Sequence, residues 1–238
     1  MTCDAHIHLL PGLDDGAADV DESILMLRKL VSLGMRAAVL TPHLRMGTNT
    51  IETFLVHRKA AYQRLRKTEL IQKKQFKCFL SVEMEACEGF SRLPGLDRLL
   101  SPELPYLPLA LPLGGMKGWL MEELSYLLHK RKICPLFLHT ERYLIFYPEK
   151  DKQKLLSFPH AAYQFTLASF RYLSIAKTAL QLYRNDKLVL LGSNGHNIGT
   201  RLPEIDLDKL YITESLAKIA AENIMRSNDE YFNRFLES

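Results

Sequence analysis

A chain of 238 residues with 47% hydrophobic and 24% charged residues can bury a sizeable core, which excludes a largely disordered protein. Its net charge of +4 is small and dispersed, so the basic stripe of a nucleic-acid binder is missing and no nucleic-acid partner is expected. No basic leader or long apolar run is visible, which predicts no membrane insertion and a cytoplasmic location.

The first strand is predicted over Cys3 to Leu9, and its period of two puts His6 and His8 on one face. A turn follows in Pro11-Gly12-Leu13-Asp14-Asp15-Gly16. Asp19 or Asp21 then caps a helix carrying Ile24, Leu27, Leu30 and Val31, which ends at Gly34. Arg36 to Thr41 reads as a second strand closed by Pro42-His43. A long helix is predicted over roughly Thr50 to Lys73, and a third strand over Phe76 to Val82 ends at Glu83. The Pro-rich run from Leu93 to Pro112 reads as an insertion or lid. Further strands are expected at Gly118 to Leu124, Cys134 to Leu138, Tyr163 to Leu167 and Leu188 to Leu191. Helical patterns cover Arg171 to Arg184 and Ile212 to Met225. Alternating strands and helices predict an α/β fold with a parallel sheet or barrel, and with no repeat or linker residues 1–238 read as one domain.

The polar residues gather at strand ends. His6 and His8 lie on the first strand, His43 closes the second and Glu83 the third. Glu122 or Glu123 interrupts an apolar run, His139 follows Leu138, and His196 follows the last strand. Carboxyl ends of parallel strands are where functional groups converge. Imidazole and carboxylate together suit Mn, Fe or Zn, and such a cluster polarises a phosphoryl oxygen and acidifies water. His57, His129 and His160 sit in polar contexts and read as surface residues. Cys3, Cys78, Cys87 and Cys134 form no CxxC pair, which points to free thiols rather than a zinc ribbon.

The run His6-Ile7-His8-Leu9-Leu10-Pro11-Gly12-Leu13-Asp14-Asp15-Gly16-Ala17 resembles the opening of the PHP (polymerase and histidinol phosphatase) superfamily. More narrowly, it resembles the manganese-dependent tyrosine-protein phosphatases of bacterial capsule and exopolysaccharide clusters. The likeness continues through Thr41-Pro42-His43, Glu83, His139-Thr140-Glu141-Arg142-Tyr143, Asn194-Gly195-His196 and Thr200-Arg201-Leu202-Pro203. It implies a distorted (β/α)7 TIM-like barrel, the PHP fold, holding two or three ions of Mn2+ (or Fe or Zn).

By the same resemblance His6, His8 and Glu83 hold metal, with Glu83 bridging. Glu123 and His139 complete a second site, Glu123 being preferred over Glu122 for the Leu124-Ser125 that follows it. Asp14 or Asp15, His43 and His196 hold a third ion. Arg142 and Arg201 match phosphate-binding positions, a role suited to the forked guanidinium, and with Asp15 they are the candidate catalytic groups. The family's Asp-x-His appears here as Asn194-Gly195-His196, whose amide oxygen can coordinate but brings no charge. The implied partner is a phosphotyrosine protein, an autophosphorylated bacterial tyrosine kinase. The alternatives are a small phosphometabolite as substrate, or binding of phosphotyrosine without turnover. Relatives of this kind also form homo-oligomers.

Overall fold

Among the described residues the named strands pair only in parallel, which requires a crossover after each strand, and helices supply most of them. The computed structural model describes residues 1–47 and 50–236. The chain runs β1 (Cys3–Ile7), α1 (Val20–Ser32), β2 (Ala37–Leu40), β3 (His43–Leu44), α2 (Ile51–Leu65), α3 (Glu69–Gln72), β4 (Lys77–Leu80) and β5 (Glu83–Glu85). It continues with β6 (Tyr106–Ala110), α4 (Gly118–His129), β7 (Cys134–Phe137), α5 (Thr140–Phe146), α6 (Glu149–Leu156), β8 (Ala162–Thr166), α7 (Leu173–Arg184), β9 (Val189–Gly192) and α8 (Ser215–Leu236).

The strands pair in the orders β1-β2-β4 and β3-β5-β6-β7-β8-β9. Leu40 pairs with Leu80 and His43 with Glu83, so the offset is the same on both sides of the gap. β2–β3 and β4–β5 are therefore two strands, each interrupted once, beside Pro42, which has no N–H to donate. Among the described residues the sheet thus has seven strand positions. Its ends approach each other, because Asn194 N–H donates to the His6 carbonyl at 2.9 Å and His8 N–H to the Gly195 carbonyl at 3.0 Å. One apolar cluster joins Cys3, Ala5, Val39, Phe79, Leu136, Ala162 and Leu190, from six strand positions. A sheet must curl to gather those side chains. The fold is α/β, a curled parallel sheet of the expected distorted-barrel type.

Local chemistry explains the helices. Asp19 caps α1 by accepting from the Glu22 N–H at 2.9 Å, and Met26, Leu27 and Leu30 bury one face. Two expectations are overturned. Gly118 to Leu124 is not a strand but the first half of α4, whose buried Leu120, Glu123, Leu124, Leu127 and Leu128 follow the helical period. The first seven residues alone are too short an apolar run to separate the two periods. The Pro-rich run is not merely an insertion either, since Tyr106–Ala110 is a central strand between β5 and β7. The ladder with β5 begins at Leu109, so the missing donor of Pro108 breaks no pairing on that edge.

Asp4 fastens the two ends of the sheet. Its buried carboxylate accepts from His6 N–H at 3.1 Å, Ser193 N–H at 2.9 Å and Ser193 Oγ–H at 2.5 Å. Burial pushes its acidity to a pKa of about 6, against the pull of those donors. Asp4→Ala orphans all three donors and is expected to cost about 3 kcal/mol in urea unfolding. Asp4→Asn keeps an acceptor and is expected to stay within about 1 kcal/mol of the parent.

Candidate metal centre

Glu83 opens β5 with its carboxylate only 4% exposed, and three histidine rings meet it. His6 Nε2 lies 3.0 Å away, His139 Nε2 3.2 Å and His8 Nε2 3.3 Å, while His43 Nδ1 stands at 3.8 Å. These side chains come from β1, from the interruptions that follow β2 and β4, and from the end of β7, so the parallel sheet gathers them at one rim. His139 adopts a left-handed backbone (φ 53°), uncommon for a residue with a Cβ. The Gln164 side chain holds it there by accepting the His139 N–H at 3.0 Å.

A second group adjoins the first. His8, Asp15, His43 and His196 offer donor atoms within 4.8 Å of one another. Asp15 Oδ1 is 3.0 Å from His43 Nε2 and 3.6 Å from His196 Nε2. His8 is shared between the groups, with its ring stacked on His196 at 3.8 Å. Of the two adjacent aspartates only Asp15 joins the cluster of donor atoms. Asp14 instead orients His8 from behind, meeting its Nδ1 at 2.7 Å and accepting from His43 N–H and Gly16 N–H.

Burial drives His6 down to a pKa of about 3, and burial with repulsion from His8 takes His196 to about 4. His43 is lowered by burial as well. His8 goes the other way, to about 9, because Asp14 and Glu83 outweigh its own burial. Glu83 stays well below the carboxylate range despite burial, held by His139, His6 and His8, and Asp14 falls to about 2 through His8. His6, His43 and His196 are therefore neutral rings near neutral pH, each with a lone pair able to bind a cation. His6 Nδ1, His139 Nδ1, His196 Nε2 and Asn194 Oδ1 are all buried without a hydrogen-bond partner. Unpartnered nitrogens beside anionic oxygens form the donor set of a divalent transition metal, so these residues fit such an ion.

The structure does not bring Glu123 into this centre. It lies on the buried face of α4, where Ser91 donates from N–H (2.9 Å) and Oγ–H (2.5 Å) and Arg92 forms an ion pair. The expectation failed because it rested on a strand where a helix stands. Glu122, the alternative, is exposed. Asn194 is also left-handed (φ 54°), a conformation Asn tolerates, and its carbonyl meets His196 Nδ1 at 2.9 Å. Arg201 returns beside His196, whose N–H donates to the Arg201 carbonyl, and its guanidinium reaches Asp15 at 3.3 Å. Arg142 is half-buried in the first turn of α5 and donates its N–H to the His139 carbonyl at 2.8 Å. His57, His129 and His160 are exposed. The four cysteines are free, with Cys3 buried. Reading the sequence missed Gln164 and Glu141. Glu141 is a buried acid 4.0 Å from His139 Nδ1 that also accepts the Thr166 N–H. Its place beside His139 in the sequence was the available signal.

Comparison with known proteins follows the same lines. Residues 2–93 match the family described as capsular polysaccharide synthesis, CpsB/CapC. Over 209 residues the chain is 28% identical to the tyrosine-protein phosphatase YwqE of Bacillus subtilis (strain 168), covering 83% of this chain and 78% of that protein. The chain is a homologue of that phosphatase. A crystal structure from work on YwqE and on CpsB from Streptococcus pneumoniae, described as unique metal-dependent tyrosine phosphatases, superposes with a TM-score of 0.64. It is 25% identical and covers 94% of this chain and 92% of its own. Histidinol phosphate phosphatase from Lactococcus lactis, solved with zinc, L-histidinol and phosphate, shares the fold at a TM-score of 0.56 and 15% identity. Coverage there is 92% of this chain and 93% of that one. Among the described residues no helix is long and apolar enough to cross a membrane.

Glu123 gives a clean test of its structural role. Burial would raise its pKa, yet Ser91 and Arg92 hold it below the ordinary value. Its contribution is therefore present above the carboxylate range and lost as pH falls through it. Glu123→Ala is expected to lower stability at pH 7 by about 2 kcal/mol, with the gap to the parent narrowing below about pH 4. Metal content measured by elemental analysis should not change; loss of metal would make Glu123 a ligand after all.

Proposed function

We propose that this chain is a metal-dependent phosphotyrosine-protein phosphatase acting on an autophosphorylated bacterial tyrosine kinase in capsule or exopolysaccharide synthesis. The observation that carries the reading is the shared centre, in which Glu83 touches three histidines and His8 belongs to both donor groups. His6, His8, Glu83 and His139 would hold one part of it, and Asp15, His43 and His196 the other, with manganese the expected metal and two or three ions the expected number. Bound ions supply charge neutralisation for a phosphoryl group and acidify water.

The chain's own residues supply the rest. Arg201, anchored beside Asp15, and Arg142, in the turn after His139, would bind the phosphate oxygens. Asp15 would take a proton from water through Oδ2, the oxygen turned away from His43 and His196, and return it to the leaving phenolate. No thiol takes part. The rim favours a protein substrate over a small polar metabolite. Ile145 is 56% exposed and Phe146 60%, and Leu113, Tyr172, Ile198 and Leu202 are exposed too. All six lie in segments that follow the carboxyl ends of β6 to β9, where exposed apolar side chains would suit contact with a protein surface.

A phosphotyrosine peptide incubated with the purified chain should release phosphate with Mn2+ and none with a chelator, and alkylation of the thiols should leave the rate intact. Turnover that survives the chelator, or that alkylation removes, would sink the reading. A second reading, binding of phosphotyrosine without turnover, is favoured by the neutral donor at Asn194. Asn194→Asp adds a charge to the centre and is expected to raise Mn2+ affinity about tenfold in calorimetry. A large gain in turnover with it would assign the natural chain to the second reading.

A further inference from the structure

The buried face of α2 carries a cation. Ile51, Phe54, Ala61 and Leu65 on that face are apolar, as an amphipathic helix requires, but Arg58 between them is only 9% exposed. Among the described residues no carboxylate lies within ion-pair distance of it. Its guanidinium covers the Phe54 ring at 5.4 Å and donates to the Ser81 carbonyl at 2.6 Å. Burying an unpaired guanidinium is unfavourable, and burial lowers its pKa to about 10. An apolar side chain of similar length would fill the place at less cost, so the hydrogen bond is the feature to explain.

Ser81 stands in the interruption between β4 and β5, two residues before Glu83. On its other side the segment is held by Ser81 N–H to the Leu40 carbonyl and Glu83 N–H to the Pro42 carbonyl, both 2.9 Å. Where Pro42 interrupts the ladder, Arg58 supplies a fixing point from outside the sheet. The same helix does this once more, since Arg64 donates to the Pro11 carbonyl in the loop that carries Asp14 and Asp15. We propose that Arg58 is a positioning residue of the metal centre, which sets the height of Glu83 through the Ser81 carbonyl. The inference rests on Glu83 being a metal ligand.

Titration calorimetry with Mn2+ on the metal-stripped full-length chain tests it. Arg58→Met is expected to weaken Mn2+ binding about tenfold, the loss typical of a residue that orients a ligand. The unfolding midpoint of the stripped protein should stay within about 3 °C of the parent, because removing a buried cation offsets the lost hydrogen bond. Arg58→Lys keeps a donor and should recover part of the affinity. Glu83→Ala, measured alongside, should lose binding at the part of the centre that Glu83 would hold. If Glu83→Ala binds Mn2+ like the parent, the metal-centre reading fails and the inference with it. If Glu83→Ala loses binding while Arg58→Met stays within about twofold of the parent, only the role of Arg58 is overturned. An Arg58→Met chain that does not fold, or whose midpoint falls in step with its affinity, also overturns it, since Arg58 then serves the core and not the centre.

Discussion

A carboxylate buried among imidazoles is the constraint on which this molecule turns. Glu83 is out of water and ionised, a costly state without compensation. Three rings within 3.3 Å provide that compensation, and each needs its own support. Asp14 backs His8, Gln164 fixes the backbone of His139, and Asp4 braces the strand that carries His6. Much of the polar interior near this rim can be traced outward from one carboxyl group.

The fold answers that demand with a general device. Parallel strands all present their carboxyl ends to the same rim, so residues far apart in sequence arrive together without long loops. The interruption beside Pro42 and the left-handed turns at His139 and Asn194 are local departures from regular structure. All three fall next to the candidate ligands. Irregular backbone of this kind persists where neighbours hold it in place, as Gln164 does for His139.

How much of this could be read from the residues differs by element. His6 and His8 were legible because a period of two in an apolar strand leaves little choice of face, and His43, Glu83, His139 and His196 because each follows an apolar run. Asp14 and Asp15 could not be separated, since the choice depends on which carboxylate turns back to His8 Nδ1. Glu123 was misplaced because the first seven residues of α4 do not reveal its period. Tyr106–Ala110 escaped because Pro108 reads as a breaker, and the edge that tolerates it is a property of the neighbouring strand. Asp4, Gln164 and Arg58 act across elements through hydrogen bonds, which no local pattern records.

The meeting of β1 with the segment after β9 also has a consequence for how the protein is made. His6 and His8 leave the ribosome well before the partners that complete their surroundings, Ser193 and His196. Until then these histidines and Asp4 have no enclosed site to enter, and the candidate centre can close only after the segment that follows β9 has been released. Capture of a metal there would therefore come late, after β9, and the ion would act as a clasp on a finished sheet rather than a seed for its folding.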